Sequence, residues 1–158
     1  MQVKIKLKPG AKMPYRSSAG AAGWDLFAYI DQPLVIEPLV HFRGDDEPLR
    51  PPYMIPTGVL IELPPGTFWD VRIRSGLAAK HGLILANGAG VVDEDYRGEV
   101  FVPVVNLSNK AYVVQPGEKI AQAILRRYEV QEFEVVEELS ETARGTKGFG
   151  STGRGLSV

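Results

Sequence analysis

Gly90-Val91-Val92-Asp93-Glu94-Asp95-Tyr96-Arg97-Gly98 carries residue types suited to hydrolysis. An apolar run ends in three acids, followed by an aromatic, a guanidinium and a glycine. Glycine at each end predicts a hairpin, because glycine adopts the positive φ that tight turns need. Such a hairpin presents Asp93, Asp95, Tyr96 and Arg97 together. A carboxylate beside an aromatic and backbone N–H groups can orient a water. A solvated turn would use the same residues, and so short a motif does not decide between the two.

Five further stretches carry groups that bind anions or bases. Ala22-Gly23-Trp24-Asp25-Leu26 sets a carboxylate beside a glycine, and alone it reads as a strand with a bulge at Gly23. Arg74-Ser75-Gly76 places a guanidinium, a hydroxyl and a backbone N–H at the start of a helix. The N–H groups there point outward and carry partial positive charge. Asn87 precedes the turn Gly88-Ala89-Gly90. Gly117-Glu118-Lys119-Ile120-Ala121-Gln122 reads as a turn entering a strand, with Gln122 either packed at an interface or donating to a ligand. Arg144-Gly145-Thr146-Lys147-Gly148-Phe149-Gly150-Ser151-Thr152-Gly153 is a strip whose amides and hydroxyls can wrap a phosphate, with Arg144 as a fork. Phe149, flanked by glycines, suggests stacking on a planar ligand. A disordered tail is the other reading of that strip. Together the pieces call for a nucleoside triphosphate, bound without a Walker-type loop.

The elements that must position these groups are short. Of 158 residues, 44% are hydrophobic and 23% charged, which predicts one soluble globular domain with a core of its own. A net charge of -1 offers no basic field for a nucleic-acid backbone. No apolar run is long enough to cross a bilayer, and the alternating start Met1–Leu7 reads as a strand rather than a signal peptide. There is no cysteine, and neither His41 nor His81 has zinc-ligand spacing. A cytoplasmic protein without nucleic-acid or membrane partners is expected.

Seventeen glycines and twelve prolines punctuate period-2 segments. Strands are predicted around Val3–Leu7, Leu34–Ile36, Val59–Leu63, Val71–Ile73, Val100–Val104, Tyr112–Val114, Ile120–Leu125 and Val130–Val136. Many short strands at this spacing argue an all-β sandwich, jelly roll or barrel. One helix is predicted over Ser75–Gly82, capped by Ser75 and stopped by Gly82. From Ser140 to Val158 the chain has too little apolar content to order alone.

Taken in order, these five motif regions resemble those of the homotrimeric dUTP diphosphatases, or dUTPases, over nearly the whole chain. They are Ala22–Leu26, Arg74–Gly82, Gly90–Gly98, Gly117–Gln122 and Arg144–Gly153. The resemblance implies an all-β, distorted jelly-roll or β-clip-like subunit with one short helix. It implies a single domain over 1–140 and a mobile tail over 141–158, which closes over a site of the trimer. The implied reaction is hydrolysis of dUTP to dUMP and pyrophosphate with Mg²⁺, which keeps uracil out of DNA and supplies dUMP for thymidylate synthesis.

By position, Asp93 resembles the general base and Tyr96 the residue that packs on the deoxyribose. Asn87, Gly90 and the backbone of Val91 and Val92 resemble the uracil-reading hairpin. Arg74, Ser75, Gly76 and Gln122 resemble phosphate ligands. Arg144, Phe149, Gly150, Ser151 and Thr152 resemble the closing tail, with Phe149 stacked on uracil. Asp25 resembles a residue that supports the metal's water shell indirectly. Three features depart from the family pattern: the extra stretch Leu39–Pro52, Lys147 where glycine is usual, and the bulky Trp24. A dCTP deaminase on the same fold, or a nucleotide-sensing module without catalysis, remains an alternative at this stage.

Overall fold

The computed structural model describes residues 2–39 and 51–147. Ten strands and one helix occupy them: β1 (Lys4–Leu7), β2 (Trp24–Phe27), β3 (Leu34–Ile36), β4 (Tyr53–Glu62), β5 (Thr67–Ile73), α1 (Ser75–His81), β6 (Leu83–Leu85), β7 (Gly90–Val92), β8 (Glu99–Asn106), β9 (Tyr112–Val114) and β10 (Lys119–Arg127). One sheet has the order β1-β4-β8-β6, a second β2-β10-β5-β7, and β3-β9 form a two-stranded ribbon. Every pairing between them is antiparallel. The expected all-β, jelly-roll-like architecture is therefore present.

Alternation explains the core. Successive strand residues point to opposite faces, so Val100, Val102 and Val104 of β8 turn inward together. They join Leu26, Ile55, Val59, Val71, Ile120 and Ala123 in one buried cluster fed by both four-stranded sheets. The central strand β8 buries Asn106 at its end. Its amide satisfies the Ile36 and Lys110 carbonyls at 3.0 and 2.8 Å, which pins β8 to the ribbon.

Four sequence expectations need correction. First, Gly90–Gly98 is not a two-stranded hairpin. β7 pairs with β5 while β8 pairs with β4 and β6, so this stretch crosses from one sheet to the other. Neither Gly90 nor Gly98 has positive φ. Second, the cap of α1 is Arg74, in extended conformation, and no side chain closes the helix start; Ser75 is the first helical residue. Gly82 does end the helix, at φ 66°, where a β-carbon would also press against Ser108. Third, Val130–Val136 is not a strand. A strand needs a partner for its backbone, and this segment has none within the described residues. Its Val130, Phe133 and Val135 are between 86% and 99% exposed. Fourth, Gly23 is no bulge. It precedes β2, and the bulge lies across the ladder in β10.

Candidate active site

The β2–β10 register sets Gln122 directly opposite Asp25, on one face of the sheet. Between Lys119 and Ala121 the pairing slips by one residue. Such a bulge re-aims a side chain, and here it returns Lys119 to the face that carries Asp25. Its ammonium lies 2.8 Å from Asp25 Oδ2, while Arg74 Nε lies 3.4 Å from Oδ1. Arg74 Nη1 also donates to the Lys119 carbonyl at 3.4 Å. Asp25 is only 8% exposed, and a buried carboxylate is tolerable because two cations meet it. Lys119 stands 4.7 Å above the Tyr15 ring, and Tyr15 exchanges backbone hydrogen bonds of 3.1 and 2.8 Å with Asp25.

Gly23 is explained by Gln122. A β-carbon on Gly23 would lie 2.7 Å from Gln122 Oε1. The glutamine side chain thus occupies the space that the missing methyl leaves. At the start of α1, Ser75 and Gly76 are exposed, and a β-carbon on Gly76 would meet nothing of its own chain. Behind Arg74, Tyr112 donates to the Glu118 carboxylate. Burial first, then the Glu118 hydrogen bond and charge, push the Tyr112 phenol up to about 12, with the Arg74 charge opposing. Tyr112 therefore remains a neutral donor at physiological pH and holds Glu118 beside the turn that leads to Lys119.

The second group lines a cleft of about 270 Å³ that includes Asn87, Gly90, Val91, Val92, Asp93 and Tyr96. A turn closed by the Tyr96 N–H on the Asp93 carbonyl, at 3.2 Å, brings acid and aromatic together. The Tyr96 hydroxyl donates to the Glu99 carbonyl at 3.0 Å, which fixes the ring over Gly98. A β-carbon on Gly98 would collide with that ring. Gly98 therefore serves close approach, not the positive φ expected of it. Gly90 serves the same purpose, with its β-carbon position 3.0 Å from Val71 Cβ.

The expected site residues thus fall into two groups: Asp25, Arg74, Ser75, Gly76 and Gln122 in one, and Asn87, Gly90, Val91, Val92, Asp93 and Tyr96 in the other. None of the first group lines the cleft of the second. Arg144 joins neither, since its Nε donates to the Lys147 carbonyl in a local turn at 3.0 Å. Phe149, Gly150, Ser151 and Thr152 lie outside the described residues, as does most of the inserted stretch Leu39–Pro52. Sequence reasoning missed Tyr15, Lys119, Met54 and Phe101. Lys119 lay within a recognised motif, and its charge was the available signal. Met54 and Phe101 line the cleft. Their alternation shows only that they share a face, not that the face is open.

No group of three or more His, Asp or Glu side chains that could hold a metal ion occurs among the described residues. No helix there is long and apolar enough to cross a membrane.

Fold and site define a jelly-roll-like β-protein with cationic and cleft-forming elements suited to a phosphorylated ligand. The dUTPase family model matches residues 10–153. A deoxyuridine 5'-triphosphate nucleotidohydrolase of Cytophaga hutchinsonii is 45% identical over 152 residues, covering 96% of this chain and 92% of its own. One of Finegoldia magna is 44% identical, covering 97% and 99%. Among solved structures, the dUTPase of Staphylococcus bacteriophage 80alpha with dUPNHPP superposes with a TM-score of 0.75 at 25% identity, covering 96% of this chain and 98% of that one. The chain belongs to the dUTPase family.

Proposed function

We propose that this protein hydrolyses dUTP to dUMP and pyrophosphate, as a homotrimer whose active sites are each shared between subunits. The observation that carries the reading is the cleft in which Asp93 and Tyr96 share one turn with the backbone of Gly90–Val92. A base can pair with that backbone and a deoxyribose can rest on Tyr96. Cytosine presents a donor where uracil presents an acceptor, so it would leave buried groups unpaired.

Asp93 accepts a proton from a water, whose oxygen bonds to the α-phosphorus in line as the bond to the bridging oxygen of pyrophosphate breaks. Little covalent work falls to the protein in phosphoryl transfer; positioning and charge neutralisation dominate. Arg74, the Ser75 hydroxyl, the Gly76 N–H and Gln122 supply that neutralisation. Arg144 adds a further guanidinium for the phosphates.

Both Asp25 oxygens are engaged by Lys119 and Arg74. This fits a Mg²⁺ that arrives on the triphosphate and meets Asp25 only through water. When bound, the ion neutralises phosphate oxygens.

Sharing between subunits is supported by the separation of the two residue groups. It is also supported by residues 129–141, which expose Val130, Phe133, Val135 and Leu139 with no covering partner among the described residues. Apolar groups so exposed are stabilised by a neighbouring chain.

The test is a panel of dUTP, UTP, dCTP and dTTP with Mg²⁺, scored for pyrophosphate and ammonia. Pyrophosphate from dUTP above all others is the expected result. Ammonia from dCTP, or binding of dUTP without turnover, would overturn it.

A further inference from the structure

Three acids follow β7, and they stand in different surroundings. Asp93 and Asp95 are exposed, whereas Glu94 is half-buried. The Glu94 carboxylate accepts the N–H of Gly66, in the connection between β4 and β5. The Gly66 carbonyl in turn accepts the Tyr128 N–H at 3.2 Å, just past the end of β10. Gly66 is thus a clasp that joins the turn after β7, the β4–β5 connection and the end of β10.

The clasp stands where the sheet gives out. Pairing between β7 and β5 ends at Val92 and Trp69. Beyond that point no ladder bond to β5 fixes the backbone that carries Asp93. The turn is closed from inside by the Tyr96 N–H on the Asp93 carbonyl at 3.2 Å. Arg97 Nη1 adds bonds to the Glu94 and Tyr96 carbonyls at 2.7 and 3.1 Å. All of these partners lie within residues 93–97, so their bonds set the shape of the turn but not its place against the sheet. The Glu94 carboxylate supplies the bond that leaves the turn. Its acceptor is ionised, and such hydrogen bonds are roughly twice as strong as neutral ones.

Tyr128 supports the same acid. Hydrogen bonding to Glu94 first, then desolvation and the charges of Glu94, Asp93 and Asp95, raise its phenol above the ordinary value. It therefore stays a neutral donor beside the three acids. Its ring lies 6.5 Å from that of Phe68, tilted by 56°.

We propose that Glu94, clasped to the Gly66 N–H, is the positioning residue for Asp93 and fixes where the general base stands along the cleft. Glu94 itself touches no substrate and moves no proton. The inference rests on the reading of Asp93 as the base. A displacement of about 1 Å in such a group costs roughly 10²-fold in rate.

The test uses the full chain as wild type, Glu94→Ala, Glu94→Gln and Tyr128→Phe, each also in an Asp93→Asn background, with thermal melts as a folding control. Glu94→Ala should lower the single-turnover rate on dUTP roughly 10- to 100-fold. Affinity for a non-hydrolysable dUTP analogue should stay within about twofold, because the acid acts on chemistry and not on binding. Glu94→Gln keeps an acceptor for Gly66 without the charge, and Tyr128→Phe keeps the ring on Phe68. Each of these should lose only about three- to tenfold, and they carry the comparison if Glu94→Ala does not fold. In the Asp93→Asn background, loss of Glu94 should cost nothing further, since no base remains to be placed. Hydrogen exchange at the Tyr96 amide, which closes the turn, should quicken roughly tenfold in Glu94→Ala without any need of turnover.

Glu94 and Tyr128 variants with wild-type rates, beside an inactive Asp93→Asn, would overturn the positioning role alone. So would an equal loss with and without Asp93, which marks a general disturbance of the cleft, or unchanged exchange at Tyr96. An Asp93→Asn protein as fast as wild type would instead overturn the reading of Asp93 as the base.

Discussion

The Gln122 side chain fills the space left by the absent β-carbon of Gly23, with Oε1 2.7 Å from where that carbon would stand. Two motifs about a hundred residues apart are thereby one steric unit. The nearest obstructing atom is at the flexible end of a side chain, with Gln122 Cβ next at 3.2 Å, so Gly23→Ala should be absorbed by displacement of Gln122. We expect little change in thermal stability, within about 1 kcal/mol. The kcat/KM for dUTP should fall roughly tenfold, as loss of one hydrogen bond to a charged ligand predicts. A variant with full kcat/KM would show that Gln122 does not need its present position.

Asp93→Asn should retain the fold and the affinity for a non-hydrolysable dUTP analogue. Its kcat should drop roughly 10²–10⁴-fold, the range that general-base assistance supplies. Single-turnover kinetics beside analogue titration separates the two effects. Turnover close to wild type would remove Asp93 from the proton transfer.

Tyr96 is held against Gly98 by its bond to the Glu99 carbonyl. Its ring should exclude a ribose 2′-hydroxyl sterically. Tyr96→Ala should narrow the ratio of kcat/KM for dUTP over UTP, while Tyr96→Phe, which keeps the ring, should narrow it less. An alanine variant that slows both substrates equally would contradict the exclusion.

Shared sites make an assembly prediction. Asp93→Asn and Arg74→Gln should each be nearly inactive alone. If Asp93 and Arg74 of one site come from different subunits, mixed trimers will contain some intact sites. Random mixing of equal amounts should restore about a quarter of wild-type activity. Mixtures that stay at the level of the single variants would place both residues in one subunit.

Asp70, held by Arg72 and Arg126, should couple stability to pH. Its folded carboxyl is depressed, so its pairing stabilises the protein above the unfolded value near 4 and is lost as pH falls through the lower folded value. Asp70→Asn should therefore cost about 1–2 kcal/mol at pH 7, discounted for its half-exposed partners. The gap to wild type should shrink below about pH 4. Urea unfolding at pH 7 and pH 3 reads both values, and a gap that is constant across that range would show that the carboxylate charge is not the source.

Period-2 alternation made most strands legible, because a strand with one buried face must alternate. Val100, Val102 and Val104 are the plain case. The order of the motifs was equally legible, since Asp93 and Tyr96 belong to one local turn and Arg74 to a helix start. Val130–Val136 shows where that signal stops. Only Phe133-Glu134-Val135 alternates there, and pairing is a property of two backbones; this chain offers it no partner among the described residues. The Gly90–Gly98 stretch failed for a related reason: local composition specifies a turn, while the sheets joined by that turn are decided by distant strands. The Asp25–Lys119 contact depends on a one-residue slip in β10, and a slip is visible only in the ladder. Asp70 and Arg126 are 56 positions apart and meet because β5 and β10 pair. Sequence alone thus determined which residues face inward and which short segments turn, because both follow from nearest-neighbour chemistry. Only tertiary structure decided which charges share a face, because that follows from register between strands far apart in the chain.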